Sequence, residues 1–225
     1  MEKNNYLLKL ITYNIHSGKN LWMRPTFKSI IQFLDNSQSE VIGIQEVNEN
    51  EKRGYQVSQI KNSLQTNYSF APNVSMGGGY YGVATYTSLS ILEHHHILLP
   101  SKKEQRGLLH TVHPLGDQKL HILNTHLGLS KAERSQQFQF IREYVSRLKS
   151  PVILMGDFNT TNPELQDTSL IDAAQITQQE HIPTFIPTRQ RIDYIFVSSS
   201  IKILDYHVAS ITLSDHYPAH IQVLI

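Results

Sequence analysis

Residues 151–159 read PVILMGDFN, and the fold follows from how this stretch is read. After Pro151 come Val152, Ile153, Leu154 and Met155, with no polar side chain among them. An apolar run this short is a strand covered on both faces, not one with a wet side. It ends at Gly156, Asp157, Phe158 and Asn159. Asp157 and Asn159 are two apart, so on an extended segment they face the same side. There the carboxylate can orient or deprotonate a water and the amide can donate to an anion. An Asx-turn, which Asp and Asn both favour, accounts for the pair equally well.

The pattern repeats outward from this point. TYNIH (12–16), IQEV (44–47), NTHLG (124–128), RIDYIF (191–196) and SDHYP (214–218) each close an apolar run with an acid, amide or imidazole. One such ending is ordinary. Six together imply one polar site assembled from many strand tips. Between them, strands are expected at 6–13, 41–44, 80–86, 88–99, 107–113, 119–124, 191–197, 203–209 and 219–224. Gly77, Gly78 and Gly79 read as a turn. Helices are expected at 25–36, with Pro25 in the first turn, and at 55–64. The helix at 130–148 has Phe138, Ile141, Val145 and Leu148 on one stripe and a capping box of Ser130 and Glu133. Residues 160–190 read as irregular. Strands outnumber helices, so the expected architecture is α/β, with two packed sheets and outer helices.

Composition sets bounds. The chain has 225 residues and no linker-like segment, so residues 1–225 are expected to form a single domain. Hydrophobic residues make up 40%, enough for a substantial core. The formal net charge of +1 argues against a strongly basic nucleic-acid footprint, although a local basic patch is compatible with it. The absence of cysteine rules out disulfides, thiolate catalysis and zinc–sulfur sites. No apolar stretch approaches the roughly 20 residues of a membrane span. MEKNNYLLKLITYN runs straight into a strand-like segment without a leader pattern. A cytoplasmic protein is expected, with secretion open if a leader precedes this sequence.

Each candidate residue has a bland alternative. Glu46, directly after VIGIQ, can hold a hard cation through oxygen or be a surface glutamate. Asn14 can orient a carboxylate or a phosphate oxygen, or merely shape a strand end. Asp215 and His216 are adjacent and point oppositely if extended. His216 therefore needs another carboxylate, and Asp193 is the candidate; an Asp-held His is a general-base or imidazolium arrangement. The alternative for Asp193 is a pair with Arg191 or Arg189. His126 can bind phosphate, protonate a leaving group, or simply be packed. Arg106 can supply charge to a phosphate or be solvated. Consecutive His94, His95 and His96 alternate faces on a strand and read as solvated edge residues, not metal ligands. Trp22, with Leu21 and Met23, reads as a loop anchoring the first helix.

Taken together, these motifs resemble the endonuclease/exonuclease/phosphatase superfamily of divalent-metal phosphoesterases, the deoxyribonuclease-I-like fold. The resemblance runs in the family's order from TYNIH to SDHYP. It implies a four-layer α/β/β/α sandwich, with two mixed sheets flanked by helices and a site at the top of the sheets. It puts Asn14, Glu46 and Asp215 at a metal end, with Mg²⁺ or Mn²⁺ as cofactor. It makes His126 a phosphate-binding histidine; Arg106 stays a candidate phosphate contact read from the residue alone. It makes Asp157 the water-orienting acid, Asn159 the transition-state amide and Asp193–His216 a dyad. His16 departs from relatives that carry Asp there.

The function implied is phosphodiester or phosphomonoester hydrolysis by activated water, nuclease-like, with a phosphoester substrate and nucleic acid among the candidate partners. A small-molecule or lipid phosphodiesterase or phosphatase is the alternative, as in sphingomyelinases or inositol phosphatases. A catalytically silent binding module is a weaker one, since the main site positions are intact. A monomer is expected.

Overall fold

The structure, a computed structural model, describes residues 6–225. In chain order the elements are β1 (Leu7–Asn14), α1 (Phe27–Ser37), β2 (Val41–Asn50), β3 (Gly54–Tyr55), α2 (Gln56–Leu64), β4 (Asn67–Met76), β5 (Gly79–Thr87) and β6 (Glu93–Leu98). There follow β7 (Gly107–Leu115), β8 (Gln118–His126), α3 (Lys131–Val145), β9 (Val152–Asp157), β10 (Leu170–Asp172), α4 (Ala173–Ile176), β11 (Asp193–Ser198), β12 (Lys202–Val208) and β13 (Ala219–Leu224).

One sheet has the order β12-β13-β1-β2-β5-β4, with β3 paired to β2; the other has the order β10-β11-β9-β8-β7-β6. Each sheet is mixed. β1 and β2 run parallel, as do β8 and β9, and their other neighbours are antiparallel. A parallel pair needs a crossover, and α1 and α3 lie in those two connections.

Strand alternation builds the layers. On β1, Leu8 and Leu10 enter the core between the sheets, with Ile122, Ile153, Met155, Ile195 and Ile221. Ile11 and Tyr13 point the other way and pack with Ile30 and Leu34 of α1 and Val57 and Ile60 of α2. On the far side, Leu123, Leu154 and Phe196 pack beneath Phe138, Ile141 and Val145 of α3. Three apolar seams separate four layers, which is the expected sandwich.

Several local expectations change. The first helix begins at Phe27; Pro25 instead bridges to Lys19. Strand β4 covers residues for which no element was expected, and it is joined to β5 through Gly77 (φ +58) and Gly78 (φ +78). Only Glu93–Leu98 of the long strand expected at 88–99 is extended. The irregular stretch 160–190 contains β10 and α4. The capping box is not formed: Ser130 makes no side-chain cap, and Glu133 Oε1 accepts from the Lys102 N–H at 3.0 Å. Trp22 anchors nothing, for it is 66% exposed and Met23 is 56% exposed. They sit at the tip of a small hairpin in which Asn20 Oδ1 accepts from the Trp22 and Arg24 N–H groups.

Two features position the site. β2 runs on past Glu46, so this residue is not at a strand tip. Its register against β5 slips between Ile44 and Val47, and Glu46 sits in that bulge at φ +57. A bulge re-aims a side chain within a strand. On β9, Gly156 has φ +146, and a Cβ there would lie 1.9 Å from the Thr125 carbonyl oxygen. Only glycine lets β8 and β9 approach at this level.

Candidate active site

Strand register explains why distant residues meet. On the second sheet, His126 of β8 pairs with Asp157 of β9, and Asp157 pairs with Asp193 of β11. Residues in one row across a sheet share a face. Asp157 lies two residues beyond Met155 and Asp193 two before Ile195, and both apolar residues belong to the core between the sheets. All three polar side chains therefore face the first sheet. Asn14 comes from there, at the end of β1.

Asp157 is the hub. Its Oδ2 accepts from Asn14 Nδ2 at 3.0 Å, and lies 3.4 Å from His126 Nε2 and 3.7 Å from His216 Nε2. Asn14 Nδ2 also donates to Glu46 Oε1 at 3.1 Å. One amide thus ties the carboxylate of the bulge to that of the opposite sheet. Ser214 Oγ donates to the Asn14 carbonyl at 2.8 Å and fixes the strand end. His216 Nδ1 meets Asp193 Oδ2 at 2.8 Å, the expected dyad. Arg191 pairs instead with Asp172, so its claim on Asp193 falls away.

Asn159 departs from the extended geometry expected of it. It lies at φ +51, and its N–H donates to Asp157 Oδ1 at 2.9 Å. The Asx-turn is real, and it coexists with the convergence at Oδ2. Asn159 Nδ2 gives one hydrogen to the Leu127 carbonyl at 2.9 Å and keeps a second to offer. Arg106 is 7% exposed, so the solvated alternative is wrong. Its Nη1 lies 2.6 Å from Glu104 Oε1 and 3.1 Å from His126 Nδ1. Guanidinium can only donate, so His126 Nδ1 accepts and the ring hydrogen is on Nε2, facing Asp157. Asp215 Oδ1 is 3.5 Å from His16 Nδ1, so the unusual His16 is a direct neighbour of a candidate metal ligand.

The electrostatics divide these groups. Burial, then the charges of Arg106 and His216, hold His126 well below the usual imidazole range. It is a neutral donor. Burial opposes a charge on His216 too, but Asp193 and Asp157 outweigh it and push its pKa up. Burial and the Asp193 charge raise the Asp157 carboxyl, against His216 and the Asn14 hydrogen bond.

Sequence reasoning missed three neighbours. Thr184 Oγ1 accepts from the N–H groups of Ile192 and Asp193 at 3.0 Å each and sets the start of β11. The Phe185 ring lies 4.7 Å from that of His216. Tyr81, buried on β5, is held by burial and the nearby Glu46 charge well above its ordinary pKa. Thr184 and Phe185 lie in a stretch read as irregular. No pattern marks Tyr81, because its neighbour arrives through the Glu46 bulge.

Residues 11–216 match the model of the Endonuclease/Exonuclease/phosphatase family. The chain belongs to that family. Its members are hydrolases acting on phosphoester bonds. Uncharacterized protein YbhP of Escherichia coli K12 is 26% identical over 175 residues, covering 70% of this chain and 69% of that one. Among solved structures, D. rerio TDP2 complexed with a single-strand DNA product has a TM-score of 0.80 at 19% identity, covering 96% of this chain and 98% of that one. A mannosyl-6-phosphatase of Bacteroides thetaiotaomicron has a TM-score of 0.75 at 20% identity, covering 97% and 100%. These structures share the fold; one is bound to a DNA product and the other is a sugar phosphatase.

Proposed function

We propose that this chain is a divalent-metal-dependent phosphoesterase that hydrolyses a phosphodiester or phosphomonoester with activated water. The observation that carries this reading is the Asp157 hub. Asn14, His126 and His216 surround one carboxylate oxygen, and Glu46 is tied to it through Asn14.

The donors suit a hard dication. Glu46 and Asp215 offer carboxylates that would suit Mg²⁺ or Mn²⁺, while Asn14, expected as a third ligand, instead orients Glu46 through Nδ2 and accepts the His16 N–H on Oδ1 at 3.0 Å. The backbone at Glu46 is in the left-handed region that side chains rarely adopt, which makes its aim a built feature. An ion held there would supply Lewis-acid polarisation of the phosphate. The chain supplies the rest. His126 donates from Nε2 to a phosphate oxygen, with Arg106 fixing its tautomer from behind. Asn159 offers its second amide hydrogen where charge grows. Asp157, its pKa raised toward neutrality, orients the water and takes its proton. His216, kept as imidazolium by Asp193, offsets the anionic charge.

A nuclease-like substrate is the first reading. The exposed Trp22–Met23 hairpin, which follows the turn carrying His16, favours a second, in which the substrate has an apolar part. Leu129, 75% exposed and three residues beyond His126, adds to it. A screen with Mg²⁺ and Mn²⁺ over plasmid DNA, single-stranded nucleic acid, bis-p-nitrophenyl phosphate, sphingomyelin and phosphorylated inositols tests both, with Glu46→Gln as control. Turnover of nucleic acid alone supports the first reading, and turnover of sphingomyelin the second. Metal binding without turnover of any substrate leaves a silent binding module and rejects both.

A further inference from the structure

His94, His95 and His96 point alternately, as strand geometry requires. His96 Nε2 turns to Asn73 Oδ1 at 2.8 Å. His95 points the other way, to the outer face of the second sheet, and there it has company from two other strands. It pairs directly with His110 on β7, and His121 on β8 pairs with Val112, the next residue of β7 on that face. Ring centroids are 5.4 Å apart for His95 and His110, and 5.0 Å for His110 and His121. Glu93 shares the face. Its Oε2 lies 3.5 Å from His95 Nε2, and its Oε1 accepts from Lys119 Nζ at 2.7 Å. His121 is five residues before His126 on β8, roughly 16 Å along the strand from the candidate active site.

The inner pair is already arranged as ligands. His110 Nε2 and His121 Nδ1 are 2.8 Å apart, so one hydrogen lies between them. Tyr144 Oη lies 2.7 Å from His110 Nδ1 and can accept a hydrogen from that nitrogen, the tautomer that leaves the Nε2 lone pair facing His121. This is how a metal-binding histidine is commonly oriented, by an oxygen partner on its far nitrogen. Burial, then its neighbours His121 and His95, push the His110 pKa down to about 4, so its lone pair is available at neutral pH. Two imidazole nitrogens on a tetrahedral zinc stand roughly 3.3 Å apart, a small opening from the present pair.

We propose that His95, His110 and His121, with the Glu93 carboxylate beside them, bind a transition-metal dication of the zinc type. The ion takes the place of the shared hydrogen, and the His121 proton passes to its own Nε2. Imidazole suits zinc, nickel and copper rather than magnesium, so this site and the oxygen-rich one select different metals. Among the described residues, three ligand atoms lie within 4.8 Å of one another only at Asp157, Asp193 and His216, so His95 must turn inward. Its side chain is 49% exposed and free to change rotamer.

The test is Zn²⁺ titration by calorimetry into untagged protein held in excess Mg²⁺, with Co²⁺ absorption reporting the geometry. The wild type is expected to bind one equivalent of zinc, and Glu46→Gln to retain it. His95→Ala should weaken binding at least tenfold and His121→Asn should abolish it, with thermal melts showing both variants folded. His95→Ala should leave any Mg²⁺-dependent turnover unchanged, because it is remote from that site. Co²⁺ should give the intense visible bands of a tetrahedral nitrogen site. Absence of zinc binding by the wild type overturns the proposal. Loss of zinc in Glu46→Gln, or wild-type affinity in His95→Ala, overturns it equally.

Discussion

Asp157 uses its two oxygens differently. Oδ1 holds the Asn159 N–H and so shapes the turn after β9, while Oδ2 faces Asn14, His126 and His216. A turn residue and a site residue are here the same carboxylate. His216 owes its raised pKa, against burial, to Asp193 and Asp157. The proposed roles then fix the sign of the pH dependence. kcat/KM rises as Asp157 ionises, above the ordinary carboxylate range, and falls as His216 loses its proton, above the ordinary imidazole range. Asp193→Asn keeps a hydrogen-bond partner for His216 but removes the charge. It should lower kcat/KM about 100-fold and move the basic limb to lower pH, with little change in melting temperature. A pH–rate profile of this variant checks both; an unmoved basic limb detaches Asp193 from His216 in function.

At the scale of elements, the buried strands were legible because their apolar runs have no other explanation. The apolar run of PVILM forms most of β9, whose last residue is Asp157 at the hub. The bulge at Glu46 was not legible, since a register slip depends on the facing strand rather than on local residues. Strand β4 was missed because NYSFAPNVSM is too polar to look buried, lying as it does at the sheet edge. Thr184 and Phe185 were missed because long-range contacts, not periodicity, give them their place. The Gly156 approach predicts that Gly156→Ala costs more than about 3 kcal/mol in urea unfolding, because a Cβ would meet the Thr125 carbonyl oxygen at 1.9 Å. On α3, Ser130 makes no cap, whereas buried Glu133 satisfies the Lys102 N–H. Ser130→Ala should therefore change stability by less than about 0.5 kcal/mol, and Glu133→Ala should cost about 1–3 kcal/mol. The reverse order would restore the capping box.

For the whole molecule, the two mixed sheets act as one frame: rows of paired residues end at a common level, and the site forms where the sheets face each other. The frame also carries histidines held without charge, His110 buried and His220 half-buried. Burial is the main cause that pushes both His110 and His220 down to about 4, with neighbouring histidines adding to it. Between pH 4 and 6.5 the unfolded chain binds protons there that the folded chain refuses. The His110 contribution to stability should therefore be complete above about pH 6.5 and be lost as pH falls toward 4, by on the order of 3 kcal/mol. Urea melts across that range in the presence of a chelator check this, and His110→Gln should flatten the decline. The central claim is that side chains from separate strands form one metal-and-phosphate pocket around Asp157. Its most direct test is the initial rate of bis-p-nitrophenyl phosphate hydrolysis against Mg²⁺ concentration for wild type, Glu46→Gln and Asp157→Asn. We expect Mg²⁺-dependent turnover in the wild type, a rate at least about 100-fold lower in each variant and a higher Mg²⁺ requirement for Glu46→Gln; wild-type rates and an unchanged Mg²⁺ requirement in both variants would contradict the account.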